Sequence, residues 1–274
     1  FIVLYGGPGL LAQVISPNGV VLASDFQATS GKFFRVGLPD TGTYLLRVSP
    51  WSSGSSSYGT FYASYTHVPG GNEHGMLQAG TSVIESVGQG DIDTYTFSST
   101  VGNRIVLSNN YTGASTATMY LYQPDRVGFG ANTQQFNFSA PLDGTYTLVI
   151  SNQASGLLAP FELHFANIPG ANEHGRLQGS GTAVEFITPA DLDTYTFYAA
   201  AGESAVFNTS GSIPLSTFIY GPNGNLVASK STAFGPTLNI ASLPQDGIYT
   251  ILIRGNVHYH SGSYNLQYNL PNSH

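Results

Sequence analysis

The residues best placed to do chemistry are carboxylates that occur twice in the same setting. Asn72-Glu73-His74-Gly75 returns as Asn172-Glu173-His174-Gly175, 100 residues later. Asp91-Ile92-Asp93-Thr94-Tyr95-Thr96-Phe97 returns at the same spacing as Asp191-Leu192-Asp193-Thr194-Tyr195-Thr196-Phe197. Side chains alternate faces along a strand, so if Tyr95 and Phe97 turn into a core, Asp91 and Asp93 lie on that same side. Two inward carboxylates repel and lose hydration. A calcium ion, which takes about 6–8 hard oxygen ligands, would compensate. Asn72, Glu73, Asp91 and Asp93 form one candidate calcium set, and Asn172, Glu173, Asp191 and Asp193 the other. The competing reading has the aspartates accept backbone N–H bonds in a turn, with no metal.

Other candidates are thinner. Zinc takes three or four His, Cys or carboxylate ligands from the protein. One histidine per repeat reads instead as a hydrogen-bonding residue of a turn or an inter-domain contact. His258 and His260 read as solvated loop residues. Trp51, in Pro50-Trp51-Ser52-Ser53-Gly54, is a candidate ligand-binding residue, because an exposed indole stacks on a sugar or anchors a protein partner. The other repeats carry Gln153 and Val257 there, and local packing is the alternative. No Gly-x-Ser-x-Gly elbow, His-Glu-x-x-His or phosphate-cradling loop is present. The expectation is a protein that is not an enzyme.

The elements that position these residues follow from composition and repetition. Of 274 residues, 41% are apolar and 12% aromatic, enough for a substantial core, while only 8% are charged. Soluble proteins ordinarily carry roughly 25%. Ser, Thr, Asn and Gly must therefore solubilise the surface. A net charge of −7 with no basic run disfavours nucleic acid. No apolar run approaches about 18 residues, so no helical membrane span is expected. The absence of cysteine excludes disulfides and zinc-thiolate sites. The chain starts at Phe1 with no initiator Met, which reads as a mature product or a fragment.

Further segments repeat in a fixed order. Val14-Ile15-Ser16-Pro17-Asn18-Gly19, Leu121-Tyr122-Gln123-Pro124-Asp125 and Ile219-Tyr220-Gly221-Pro222-Asn223 are counterparts. So are Asp40-Thr41-Gly42-Thr43-Tyr44, Asp143-Gly144-Thr145-Tyr146 and Asp246-Gly247-Ile248-Tyr249. A period near 100 is too long for a solenoid and describes tandem globular domains. The expected division is a partial unit at 1–69 and full units at 70–168 and 169–274, joined by short Pro-Gly linkers. Alternation of two in Tyr146, Leu148, Ile150 and in Tyr249, Ile251, Ile253 predicts strands. Pro-Asn-Gly and Asp-Gly predict the turns between them. The fold class expected is all-β, with tandem β-sandwich, jelly-roll-like domains of about 100 residues, the first incomplete.

In their order of motifs, from Gly90-Asp91-Ile92-Asp93 through the Leu121-Tyr122-Gln123-Pro124 hairpin and Gly144-Thr145-Tyr146 to Ser261-Gly262-Ser263-Tyr264, units two and three, and the later half to two-thirds of unit one, resemble the bacterial pre-peptidase C-terminal domain. The resemblance implies β-sandwich modules appended to secreted bacterial hydrolases and surface proteins. Some relatives, including collagen-binding modules of clostridial collagenases, bind calcium near the domain start. The opening Asn-Glu-His-Gly departs from the family's Glu-Pro-Asn type.

The expected function is that of a non-enzymatic extracellular or cell-surface structural or adhesive repeat protein, a subunit of a surface fibre or filament. The alternative is a substrate-targeting region of a secreted hydrolase, binding protein or polysaccharide. Phe1-Ile2-Val3-Leu4 lines up with Arg104-Ile105-Val106-Leu107, so unit one lacks the counterpart of residues 72–103. Upstream residues or a neighbouring copy would have to complete it. The expectation is a second copy, associating head to tail, because open sheet edges recruit strands.

Overall fold

The computed structural model describes residues 2–6, 9–27, 32–50, 61–112, 117–132, 134–152, 158–232, 235 and 237–271, with the backbone alone at 3–6, 26–27 and 32–34. Trp51 lies outside the described residues. All regular elements are strands. Unit one contains β1 (Ile2–Gly6), β2 (Leu10–Ile15), β3 (Val21–Gln27), β4 (Lys32–Phe34), β5 (Leu45–Pro50) and β6 (Phe61–Tyr65). Unit two contains β7 (Thr81–Val87), β8 (Ile92–Ser99), β9 (Arg104–Tyr111), β10 (Thr118–Tyr122), β11 (Gly128–Asn132), β12 (Gln135–Ser139), β13 (Gly144–Ser151) and β14 (Ala159–Ile168). Unit three contains β15 (Ser180–Ile187), β16 (Asp193–Ala199), β17 (Ala205–Gly211), β18 (Leu215–Tyr220), β19 (Leu226–Thr232), β20 (Thr237–Ile240), β21 (Gly247–Gly255) and β22 (Gly262–Asn269).

Units two and three are sandwiches of two four-stranded antiparallel sheets with the same strand order. Sheet β12-β9-β14-β7 corresponds to β20-β17-β22-β15, and β11-β10-β13-β8 to β19-β18-β21-β16. The alternating apolar residues meet between the sheets. Tyr95, Phe97, Leu107, Tyr146, Leu148 and Phe161 are in the core of unit two; Tyr195, Phe197, Phe207, Tyr249, Ile251 and Tyr264 are in that of unit three. After each of these Asp- and Gly-containing turns, a tyrosine at or just before the start of the next strand bonds back to the chain four residues earlier. Tyr44 donates to the Asp40 carbonyl (2.6 Å), Tyr146 to Leu142 (2.8 Å) and Tyr249 to Gln245 (2.6 Å). This tyrosine corner fixes the crossing between sheets in all three units.

Unit one has the sheets β4-β1-β6 and β3-β2-β5, one strand short on each side where β7 and β8 continue unit two. Ile2 pairs with Phe34 and Tyr65, whereas Leu107 pairs with Phe136 and Phe165. Ile2 therefore stands at the level of Leu107, not of Ile105. A slip of two residues leaves every side chain on its face, so apolar alternation alone does not detect it.

The units meet through a joint that repeats. Ile92, Tyr120 and Val149 on the outer face of β8-β13-β10 are buried against Val68 and Tyr122. In the next joint Leu192, Leu252 and Tyr220 are buried with Ile168, Val106, Ala166 and Ala171, and Phe218 packs against them. Ile168 corresponds to Val68, Leu192 to Ile92, Phe218 to Tyr120, Tyr220 to Tyr122 and Leu252 to Val149. The turn at Gly224 sits close enough to unit two that a Cβ there would meet the carbonyls of Gly102 and Ile168 at 2.9 Å. His258, expected in solvent, lies at this joint with Nε2 2.9 Å from Gln134 Nε2.

Candidate functional site

The Asn-Glu-His-Gly segment is positioned by docking alongside the strand that carries the aspartates. His74 N–H donates to the Thr94 carbonyl (3.0 Å), Thr96 N–H to Gly75 (3.1 Å) and Leu77 N–H to Thr96 (2.8 Å). Glu73 N–H is bound by Thr94 Oγ1 at 2.9 Å. The same bonds recur in unit three, from His174 to Thr194 (3.0 Å), Thr196 to Gly175 (3.1 Å) and Leu177 to Thr196 (2.8 Å). This pairing explains why the two motifs recur together. One has no fixed place without the other.

Docking brings a histidine onto each aspartate. His74 Nε2 lies 3.3 Å from Asp93 Oδ1, and His174 Nε2 lies 3.2 Å from Asp193 Oδ1. The rings stack on Tyr95 and Tyr195 at 5.3 and 5.1 Å between centroids. Ligand atoms of Glu73, His74 and Asp93 fall within 4.8 Å of one another, as do those of Glu173, His174 and Asp193. Asp93 is only 4% exposed and Asp193 2%. In each, Oδ2 has no hydrogen-bond partner.

The electrostatics reflect this crowding. Burial raises Asp93 to about 6, opposed by the His74 charge and reinforced by Asp91 and Glu73. Burial, then the Asp191 charge, raises Asp193 to about 6. Burial raises Glu173 to about 7, with Asp191 and Asp193 adding to it. Burial pulls His174 down, but the hydrogen bond and charge of Asp193, with Glu173 and Glu185, carry it above its usual value. These groups lack enough positive charge nearby.

The other residues of the two candidate sets go elsewhere. Asn72 Oδ1 accepts from Thr96 Oγ1 (3.1 Å) and Asn172 Oδ1 from Thr196 Oγ1 (3.2 Å). Asp91, expected to face inward, is exposed, and its Oδ1 accepts the Ile92 N–H at 2.9 Å. Asp191 accepts from Leu192 N–H (2.9 Å) and from Thr188 N–H (3.1 Å). It also lies 3.1 Å from Nδ1 of His164, a buried residue of unit two. Burial raises the Asp191 pKa, but the bond and charge of His164 dominate and hold it below the usual range. Asp91 and Asp191 thus have the geometry of turn caps, and Asp191 also ties two units together. The histidines, expected as hydrogen-bonding residues of a turn or an inter-domain contact, stand instead against the carboxylates. Their adjacency to Glu73 and Glu173 was the available signal.

One difference separates the two clusters. Tyr195 and Tyr264 hydroxyls meet at 2.8 Å. The register partner of Glu85 in unit two is Phe161, where unit three pairs Glu185 with Tyr264. The Tyr95 hydroxyl is accordingly left without a partner.

No family model matches the chain, and no curated protein does. Among solved structures, a candidate secreted protein of Eubacterium rectale is 10% identical, with 66% of this chain and 69% of that chain covered and a TM-score of 0.23. The Sulfolobus turreted icosahedral virus structure is 12% identical over 100% of this chain and 79% of that chain, with a TM-score of 0.21. A candidate secreted protein of Parabacteroides distasonis is 11% identical, covering 72% and 85%, at a TM-score of 0.18. Likenesses this remote carry no argument about function.

Proposed function

We propose that the protein is a non-enzymatic, extracellular structural or adhesive protein, built as a row of sandwiches held at fixed angles and able to extend by self-association. The observation that carries this reading is the repeated joint. Five positions recur as apolar at both junctions, and the residues that fill them are largely or fully buried. Flexible tethering does not require outward-facing apolar residues at matching positions, whereas a stiff array does. No helix among the described residues is long and apolar enough to cross a membrane.

Extension between copies would not use that joint. The outer face of β2-β5 carries Gln13 and Arg47 where unit two has Tyr120 and Val149. On the far face of unit three, polar bonds from Asn208 to Gln267 (3.4 Å) and Thr237 (3.0 Å) cross the middle of the sheet, while Val184 and Phe186 lie on the same face at its β15 edge. Unit one offers a different contact. Its β5 and β6 edges, which have no partner strand among the described residues, flank an apolar cleft of about 400 Å³ lined by Ile2, Val14, Val36, Leu38 and Leu46. Tyr65 on β6 is 82% exposed. On the free edge strand β15, Val184 is 65% and Phe186 57% exposed. Pairing β6 of one copy with β15 of another is a head-to-tail contact that need not close.

Small-angle X-ray scattering tests the array. One fixed arrangement of the three units should reproduce the curve. A curve that requires freely reorienting units contradicts the reading.

A further inference from the structure

Calcium, the metal implied by the family resemblance, asks for about 6–8 oxygen ligands. The donors assembled here do not match that. Asn72 and Asn172 have their side-chain oxygens on threonine hydroxyls, and Asp91 and Asp191 have theirs on turn N–H groups. What converges is one imidazole nitrogen and two carboxylates, in both units.

We propose that Glu73/His74/Asp93 and Glu173/His174/Asp193 are two equivalent sites for a borderline divalent transition metal of the zinc class. Imidazole with carboxylates suits such ions, and three protein ligands leave a fourth position for water. The sites are more than clusters of acids. Asp93 and Asp193, whose Oδ1 atoms face the histidines, are both more than nine-tenths buried, and His174 Nε2, turned to Asp193, is itself buried without a hydrogen-bond partner, a costly state that a cation relieves. In unit three a further carboxylate lies near the other ring nitrogen. Glu185 Oε1 lies 3.6 Å from Nδ1 of His174, on the far side of the ring from Asp193. A carboxylate on the outer nitrogen orients a ligating histidine and raises its basicity. Glu85 holds the corresponding register position in unit two. The two copies differ at Phe161 and Tyr264 yet hold the three donors in the same arrangement.

The test is calorimetric titration of the chelator-stripped full chain with Zn²⁺ and separately with Ca²⁺. Binding of about two Zn²⁺ per chain is expected, one per cluster. His74→Gln or His174→Gln should each remove one equivalent, and the double variant both. Millimolar Ca²⁺ should not compete. Zn²⁺ stoichiometry unchanged in the double variant, absence of Zn²⁺ binding, or Ca²⁺ binding undiminished in the double variant would each overturn the proposal. If a variant does not fold, the Co²⁺ absorption spectrum of the unaltered protein decides. Intense bands of a four-coordinate nitrogen-containing site support it, and the weak bands of an all-oxygen six-coordinate ion refute it.

Discussion

Truncating Leu252 to alanine should loosen the joint between units two and three without unfolding either. Leu252 points away from the unit-three core, in which its neighbours Ile251 and Ile253 are buried, and packs with Ile168, Leu192 and Tyr220. It is fully buried, so opening the joint exposes the whole side chain, worth about 1.5–3 kcal/mol. At about 1.4 kcal/mol per factor of ten, the open fraction should rise roughly 10- to 150-fold. Leu266→Ala is the control. It lies in the unit-three core, where a Leu→Ala change costs about 2–5 kcal/mol of folding stability. Amide hydrogen exchange and limited proteolysis across residues 168–171 read the first effect, and thermal unfolding reads the second. The reasoning fails if Leu252→Ala lowers the melting temperature as much as Leu266→Ala while exchange at 168–171 stays unchanged.

Two glycines at equivalent turns should behave differently. Gly19→Ala meets nothing within 4 Å and pays only for its positive φ, about 1 kcal/mol, whereas Gly224→Ala also drives a Cβ into the carbonyls of Gly102 and Ile168. The second should be the more destabilising in urea titrations and should open the joint; equal effects would show that the turn is not seated on unit two. Without metal, stability should fall as pH rises from about 4 to 7. Asp93 and Asp193 have folded pKa values raised to about 6, so their contribution is complete below the unfolded value near 3.9 and is lost as pH passes 6, at up to about 3 kcal/mol each. His164 and His174, also raised, act in the same direction, while Asp191, lowered, loses its contribution only as pH falls. Urea midpoints between pH 4 and 8 with chelator present check this, and a midpoint that climbs steadily with pH contradicts it.

Much of the fold was legible because turn chemistry and strand alternation agree. The Asp-Gly turns and the tyrosines after them mark the same corner three times, and Pro17, Pro124 and Pro222 open the same hairpin. The joint is legible in the sequence too. Leu148-Val149-Ile150 and Ile251-Leu252-Ile253 are apolar without alternation, the mark of strands covered on both faces, whereas Leu46-Arg47-Val48 alternates. The exact register of unit one was not, since a two-residue slip preserves the pattern. Nor was the role of Asp191, whose partner His164 is supplied by the neighbouring unit. At the clusters, the sequence pattern puts Glu73 and Asp93 in one set, and the fold brings the two close together. The pattern could not show that Asn72 and Asp91 would be drawn off by Thr96 and by a turn, because those competing bonds exist only once the segment has docked.

Electron microscopy of the purified chain over a range of micromolar concentrations tests the central claim most directly. The account predicts three-lobed particles joined end to end into longer rows as concentration rises, with the three lobes of each chain at one recurring angle. Isolated three-lobed particles at every concentration, with lobe angles scattered from particle to particle, would contradict it.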